Sequence, residues 1–233
     1  MSSLLADLDA LTAGAARFRS TLAGLDDRAV REPSQLPGWT RGHVLTHLAR
    51  AADSRRGLLV AARQGRVGRQ YASEEQRARD IEEGAGRPPA VIRGDVAAAL
   101  DRLFAAVAEH PADRWDAPGE WLGVGPRPVR RVVPSMRREL EYHHVDLAAG
   151  YGPRDWPEDF VSAQLESVTG SLGGRAPAFT VRLPDRELTV GDGGRITLAG
   201  DPAPVLAWLT GRGDGSPLSV DPPGPLPDLP PLA

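Results

Sequence analysis

Apolar residues near the start of the chain recur with the spacing of one face of a helix. They follow one another at steps of three and four residues: Leu4, Leu8, Leu11, Ala15, Phe18, Leu22 and Leu25. This spacing predicts one long amphipathic helix, which the segment 33–38 interrupts. Thr40 suits the N-cap of a second helix. That helix carries another apolar set: Val44, Leu45, Leu48, Ala52 and Leu59.

Two more helices are predicted further along the chain. The third carries Val96, Leu100, Leu103, Phe104 and Val107 and stops before Pro111. The fourth carries Val133, Met136, Leu140 and Leu147 and ends at Gly150. Residues 65–89 are rich in Arg and Gly, and residues 111–128 are rich in Pro, Gly and Trp. We expect both segments to be loops that line a substrate pocket. Four amphipathic helices bury their apolar faces against one another, so residues 1–152 are predicted to form a four-helix bundle.

The pattern changes after Gly150. Residues 158–172 predict one more helix, and three short alternating segments predict strands: 179–183, 187–190 and 195–198. Residues 202–209 fit a short helix with proline in its first turn, and 218–220 fit a last strand. We therefore expect an α+β protein. Its second domain, residues 153–233, should be a small α/β domain with a mostly antiparallel sheet and a proline-rich C-terminal tail.

Composition indicates a globular protein and argues against several classes of partner. The chain has 233 residues, of which 41% are hydrophobic and 25% charged, and its net charge of -3 provides no polycation for nucleic acid. No apolar run is long enough to span a bilayer, and the N-terminus lacks the basic segment of a signal peptide. We expect a cytoplasmic protein that acts on a small molecule, with no nucleic-acid or membrane partner, as a monomer or a weak homo-oligomer.

Four of the five histidines lie in two helical segments, residues 36–48 and 138–147. On the fourth helix, Glu139 and His143 are four residues apart on one edge of the apolar face. On the second helix, His47 borders the apolar stripe. His47, Glu139 and His143 are therefore the candidate metal ligands, and three protein ligands leave a coordination position open, as in catalytic zinc sites. A Glu/His pair at this spacing is also a common helix-stabilising contact, so the spacing alone leaves both interpretations open.

The remaining histidines receive other interpretations. His43 turns away from the apolar stripe and occupies the capping-box position after Thr40. His144 lies at or beyond the other edge of the fourth helix, so we expect it behind the ligands or at the surface. His110 precedes a proline at a helix end, where the helix dipole favours a cation. Asp146, one turn after His143, either orients a ligand ring or is a surface acid.

These segments resemble the mycothiol-dependent maleylpyruvate isomerase family, a branch of the DinB-like metalloproteins. The matching stretches are residues 36–40 running into 47–49, then 136–139, 143–147, 150–151, 155–160 and 206–212. The resemblance covers nearly the whole chain except 65–89 and 111–128. It implies a DinB-like four-helix bundle followed by a small α/β domain. It also implies that His47, Glu139 and His143 bind a divalent metal, usually zinc.

The resemblance further implies an activity: cis–trans isomerisation of an unsaturated carboxylic acid by reversible addition of a thiol. The chain has no cysteine, so the sulfur must come from a small molecule, and the family uses mycothiol. Arg212, between Gly211 and Gly213, best matches a C-terminal-domain arginine that serves the active site in the family, and we expect it to bind the thiol cofactor or an acidic substrate. At a helix end it can equally be a surface cation. Three alternatives stay open: a thiol S-transferase, a hydrolase or lyase that uses metal-bound water, and a non-catalytic metal-binding protein.

Overall fold

The computed structural model describes residues 2–230. The chain divides into two units, Met1–Tyr151 and Gly152–Ala233. The described residues form eight α-helices and two small sheets, so the α+β class is confirmed. The helices of the first unit are α1 (Ser2–Gly24), α2 (Asp27–Arg31), α3 (Arg41–Arg63), α4 (Glu74–Ala85), α5 (Pro89–Ala108) and α6 (Val132–Asp146). Its strands are β1 (Gly68–Arg69), β2 (Pro118–Trp121) and β3 (Gly125–Pro128).

Helix α3 is the centre of the first unit, because it packs against α4, α5 and α6. It starts at Thr40, whose side chain accepts a hydrogen bond from the backbone N–H of His43, while the His43 ring accepts from the Thr40 backbone. This reciprocal capping box confirms the interpretation of both residues. Helix α1 packs against α6, and the apolar stripes of α1, α3, α5 and α6 share one hydrophobic core. Its fully buried members include Phe18, Leu48, Leu100 and Met136.

Two segments that were expected to be loops contain regular structure. Residues 65–89 include α4, whose N-cap Ser73 accepts from the backbone of Gln76. The helix buries only Ile81, Gly84 and Ala85, too few apolar positions for a visible stripe. Residues 111–128 include the antiparallel hairpin of β2 and β3, with β1 parallel to β2. Its glycines and prolines hide the alternation that marks a strand.

Helix α6 ends four residues before the predicted end. The main-chain carbonyls just beyond it, those of Leu147 and Ala148, accept hydrogen bonds from the Arg41 guanidinium at 2.5 and 3.0 Å. Ala148 has a positive φ of 50°, a conformation that stops the helix. An arginine of α3 therefore satisfies carbonyls at the C-terminal end of α6 and joins the two helices that carry the candidate ligands.

The second unit contains α7 (Glu158–Leu172), β4 (Phe179–Arg182), β5 (Glu187–Val190), β6 (Ile196–Ala199), α8 (Pro202–Leu209) and β7 (Ser219–Asp221). All six elements were predicted within one or two residues. The strand order is β5-β4-β6-β7, with β4 parallel to β6 and the other two pairs antiparallel. The sheet is therefore mixed. Phe179, Val181 and Leu198 are fully buried, and the ring of Phe179 packs against that of Trp208 on α8.

Membrane insertion through a helix is not supported by the described part of the chain. None of its helices combines the length and the apolar character needed to cross a bilayer.

Candidate metal centre

Three side chains from two helices converge at the edge of the first unit's core. His47 comes from α3, and Glu139 and His143 come from successive turns of α6. The Nε2 atom of His47 lies 2.9 Å from Oε2 of Glu139, and Nε2 of His143 lies 3.3 Å from the same oxygen. One ligand atom from each residue lies within 4.8 Å of the other two. The structure thus brings together the three residues that the helical pattern selected.

The helical phase explains why these side chains meet at an edge rather than in the interior. Met136 and Leu140 point into the core, and Glu139 and His143 lie beside them on α6. Their side chains are 18% and 16% exposed, whereas that of His47 is 4% exposed. The cluster is therefore buried on the α3 side and partly exposed to solvent on the α6 side.

Glu139 is held as a carboxylate by a buried arginine. Arg55 of α3 donates from Nη2 to Oε1 of Glu139 at 2.7 Å, and it also donates to Oγ of Ser135 at 2.7 Å and to the Ala51 carbonyl at 3.1 Å. Burial alone raises the pKa of Glu139. The charge of Arg55 and hydrogen bonds from the two histidines outweigh burial, and the pKa lies well below its usual value. Glu139 is thus ionised, with Oε2 directed at both imidazoles.

The surroundings shift the pKa values of His47 and His143 in opposite directions. Burial, reinforced by the charge of His143, lowers the pKa of His47 to about 4, so this imidazole is neutral. Burial also lowers the pKa of His143, but hydrogen bonds with Asp146 and Glu139 raise it above its ordinary value. The Oδ2 atom of buried Asp146 lies 2.8 Å from Nδ1 of His143. Asp146 therefore contacts the ring nitrogen of His143 that faces away from Glu139.

This set of donors fits a divalent metal. Two imidazole nitrogens and one carboxylate oxygen are the ligands of many catalytic zinc sites. Asp146 contacts His143, and Arg55 contacts Glu139. Hydrogen bonds of this kind hold metal ligands in place in other proteins. His47, Glu139 and His143 can together bind a metal ion.

Two arginines at the cluster were not found from the sequence. Arg55 is only 3% exposed, and Arg77 of α4 donates from Nη2 to Nδ1 of His47 at 3.1 Å. Arginine supplies all 28 basic residues of this chain, so composition gives no signal for any one of them. Arg77 was further hidden because α4 was not predicted. Arg55 does carry one weak signal, since a charge within the buried stripe of a helix requires a partner.

The other histidines lie outside the cluster. The ring of His43 caps α3, and its Nε2 is 3.3 Å from Oε2 of Glu82. His144 is buried rather than at the surface: its Nε2 lies 2.7 Å from Oγ1 of Thr21, and its ring stacks on Tyr151 at 3.8 Å. His144 therefore belongs to the contact between α1 and the C-terminal end of α6.

The interpretation of His110 as a helix-end cation is wrong. The residue is buried and its ring packs against Trp115 with the ring centroids 4.5 Å apart. Burial lowers its pKa, so the neutral imidazole is favoured. A neutral ring gains nothing from the negative end of a helix dipole, and packing accounts for its position instead.

Arg212 lies in the second unit, just after α8. Its side chain is half-buried and donates from Nη1 to the carbonyl of Thr210 at 3.0 Å. The preceding Gly211 has a φ of 71°, in the left-handed region that glycine adopts without strain. The role of Arg212 stays a prediction.

Comparisons with known proteins agree with this description. The sequence matches the family model described as the mycothiol maleylpyruvate isomerase N-terminal domain over residues 11–148. The crystal structure of a mycothiol-dependent maleylpyruvate isomerase has the same fold, with a TM-score of 0.91 at 23% identity over 98% of this chain and 97% of that chain. A histidine-to-alanine mutant of an enzyme so described gives a TM-score of 0.89, with the same identity and coverage. A search of curated proteins gave no match.

Proposed function

The chain belongs to the mycothiol maleylpyruvate isomerase family, and we propose that it is a metal- and thiol-dependent isomerase of an unsaturated carboxylic acid. The reaction we propose interconverts the cis and trans forms of the acid, with mycothiol or a related small thiol as cofactor. The observation that carries the proposal is the convergence of His47, Glu139 and His143 within the unit that the family model covers. We propose that this unit is the DinB-like four-helix metal-binding domain and that residues 153–233 form a second domain.

The residues around the cluster have separable tasks in this proposal. His47, Glu139 and His143 hold the metal, and this set of donors favours zinc. Asp146 accepts from Nδ1 of His143 and so directs Nε2 of that ring toward the cluster. Arg55 holds one oxygen of Glu139 and leaves the other for the ligand set. We propose that Arg212 binds the thiol cofactor or an acidic group of the substrate.

The chemistry itself needs a nucleophile that this chain lacks. A divalent metal, when bound, supplies Lewis acidity that lowers the pKa of a coordinated thiol or polarises a carbonyl. A thiol supplies reversible addition to the conjugated double bond, which becomes a single bond and rotates before elimination restores it. No cysteine is present in the sequence, so an external thiol is required.

The test combines metal content with thiol-dependent turnover. Purified protein, metal-loaded or metal-stripped, is incubated with maleylpyruvate in the presence or absence of mycothiol. We expect isomerisation only when both metal and thiol are present. Full turnover without thiol would contradict the proposal and favour hydrolysis or lyase chemistry by metal-bound water. A stable thioether product would instead identify an S-transferase.

A further inference from the structure

One arginine beside the cluster lacks an acidic partner. Arg77 is half-buried on α4, and its guanidinium donates to Nδ1 of His47 and lies 5.9 Å from the ring centroid of Tyr71. No carboxylate among residues 4–230 forms an ion pair with it. By contrast, Arg50 and Arg87, partly buried in the same unit, both pair with Asp95. A cation without an anion at the edge of a metal cluster is suited to an anionic ligand.

The hydrogen bond between Arg77 and His47 would be lost if His47 bound a metal through Nε2. A guanidinium only donates, so Nδ1 of His47 is the acceptor and the proton of the neutral ring lies on Nε2. A histidine that binds a metal through Nε2 carries its proton on Nδ1 instead. Two donors would then face each other. A metal bound through Nε2 of His47 would therefore leave the Arg77 guanidinium available for another partner.

A second polar group in the same segment also lacks a partner. The hydroxyl oxygen of Tyr71 is buried and makes no hydrogen bond within the part of the chain that the structure describes. Such groups are uncommon, because a buried hydroxyl without a partner loses its bonds to water without compensation. Tyr71 and Arg77 are in contact through the ring and the guanidinium. The ring that carries the unpartnered hydroxyl therefore lies next to the arginine that has no acidic partner.

The local charge points to the same kind of ligand. Glu139 and Asp146 are the acids in direct contact with the candidate ligand rings, and Arg55 and Arg77 are the cations in contact with the cluster. With both histidines neutral, as they would be as metal ligands, these four charges balance one another. A divalent metal leaves an excess of positive charge, which an anionic ligand neutralises at short range.

We propose that Arg77 and Tyr71 form the site that binds the carboxylate of the substrate. Arg77 supplies charge-assisted hydrogen bonds to the carboxylate, and the Tyr71 hydroxyl donates another. The inference rests on the proposed function for its ligand, an unsaturated acid, and it names the residues that recognise the acid group. It also makes specific the expectation that the segment 65–89 lines a substrate pocket.

Succinate, a saturated dicarboxylate that cannot isomerise, is the probe for this site. It is titrated calorimetrically into the full-length, zinc-loaded protein and into three variants. Arg77→Gln should weaken succinate binding by roughly tenfold to a hundredfold, and Tyr71→Phe by about fivefold. Arg79→Gln is the matched control, because Arg79 is exposed on the same helix and contacts only Gln76 among the bonds described. It should bind succinate like the wild type.

Zinc affinity, measured separately, keeps this site distinct from the metal site. Arg77→Gln should bind zinc at least as tightly as the wild type, because the variant loses the donor that opposes the metal-binding form of His47. Unchanged succinate binding in Arg77→Gln, an equal loss in Arg79→Gln, or no binding to the wild type at millimolar succinate would overturn the proposal. Loss of succinate binding in Arg77→Gln without any thiol-dependent turnover would instead reject the isomerase function and leave the carboxylate site in place.

Discussion

At the scale of single residues, the two oxygens of Glu139 have different neighbours. Oε1 accepts from Arg55 at 2.7 Å, and Oε2 faces the nitrogens of His47 and His143. The arginine fixes the rotation of the carboxylate and compensates for the burial of its charge. Because Arg55 is itself held by Ser135 and Ala51, the carboxylate oxygen that we propose as a metal ligand is held in position without a metal.

The pKa of His47 predicts a loss of stability in acid. Folding lowers this pKa from 6.5 to about 4, so the unfolded state binds more protons between these pH values. The contribution of His47 to the free energy of unfolding is fully present above about pH 6.5 and is lost as the pH falls toward 4. In metal-free protein, going from about pH 7 to about pH 4.5 should cost the wild type about 1–3 kcal/mol more than His47→Gln, as measured by urea unfolding.

His143 and Glu139 contribute to the pH dependence of the free energy of unfolding in other pH ranges. The raised pKa of His143 gives stability that is present below its ordinary pKa and lost as the pH rises through the folded value. The lowered pKa of Glu139 gives stability that is lost only in stronger acid. An equal acid loss in wild type and His47→Gln would contradict the assignment to His47.

Arg212 is tested by truncation. A lost charge-assisted contact costs about 1.5–3 kcal/mol, so Arg212→Ala should lower kcat/KM by roughly tenfold to a hundredfold. Melting temperature and zinc content should not change, because Arg212 follows the end of α8 and is not one of the three proposed metal ligands. Arg154→Ala, another arginine of this unit, is the control. Unaltered kinetics would assign Arg212 to the surface.

At the scale of elements, the sequence was informative wherever one face of an element is buried. The apolar stripes of α1 and α3 and the alternation of β4 predicted those elements. In each of them, buried residues such as Phe18, Leu48 and Phe179 belong to an apolar set that recurs with the period of the helix or strand. Helix α4 and the β2–β3 hairpin bury too little for such a period to form. The parallel pairing of β4 with β6 depends on contacts between segments distant in sequence, which no local pattern encodes.

The same limit applies to the site. Glu139 and His143 could be selected because the phase of one helix relates them, and His47 because it borders a stripe. Arg77 could not, since its partner His47 lies on another helix and the contact depends on how α4 packs against α3.

The packing of α4 on α3 can be tested with a glycine. A Cβ atom at Gly84 of α4 would lie 2.4 Å from Cγ2 of Thr46 on α3, so the Thr46 side chain or the helix α4 would have to shift. Gly84→Ala should therefore lower the free energy of unfolding by about 1–3 kcal/mol. The matched control is Gly57→Ala in α3, where a Cβ meets no atom within 4 Å and alanine should stabilise the helix by up to about 1 kcal/mol. Chemical denaturation measures both, and a gain in stability from Gly84→Ala would contradict the described packing.

At the scale of the whole molecule, a metal that joins α3 to α6 should stabilise the first unit. The ligands come from two helices, so the ion binds the folded state and not the unfolded chain. Free zinc at about a hundred times its dissociation constant adds about 2.7 kcal/mol to the free energy of unfolding. We expect calorimetry to show a higher melting temperature with zinc than with a chelator.

The variants decide whether this stabilisation comes from the proposed ligands. His143→Ala removes one of three ligands and should abolish the zinc-dependent shift together with the bound metal measured by elemental analysis. His43→Ala is the control: His43 caps α3 but does not join the cluster, so this variant should melt lower with and without zinc while keeping the shift. A shift that survives His143→Ala but disappears in His43→Ala would reassign the site. The proposed ligands all lie in the unit Met1–Tyr151, so zinc should raise the melting temperature of that unit. The melting temperature of the unit Gly152–Ala233 should rise with zinc only if the two units unfold together.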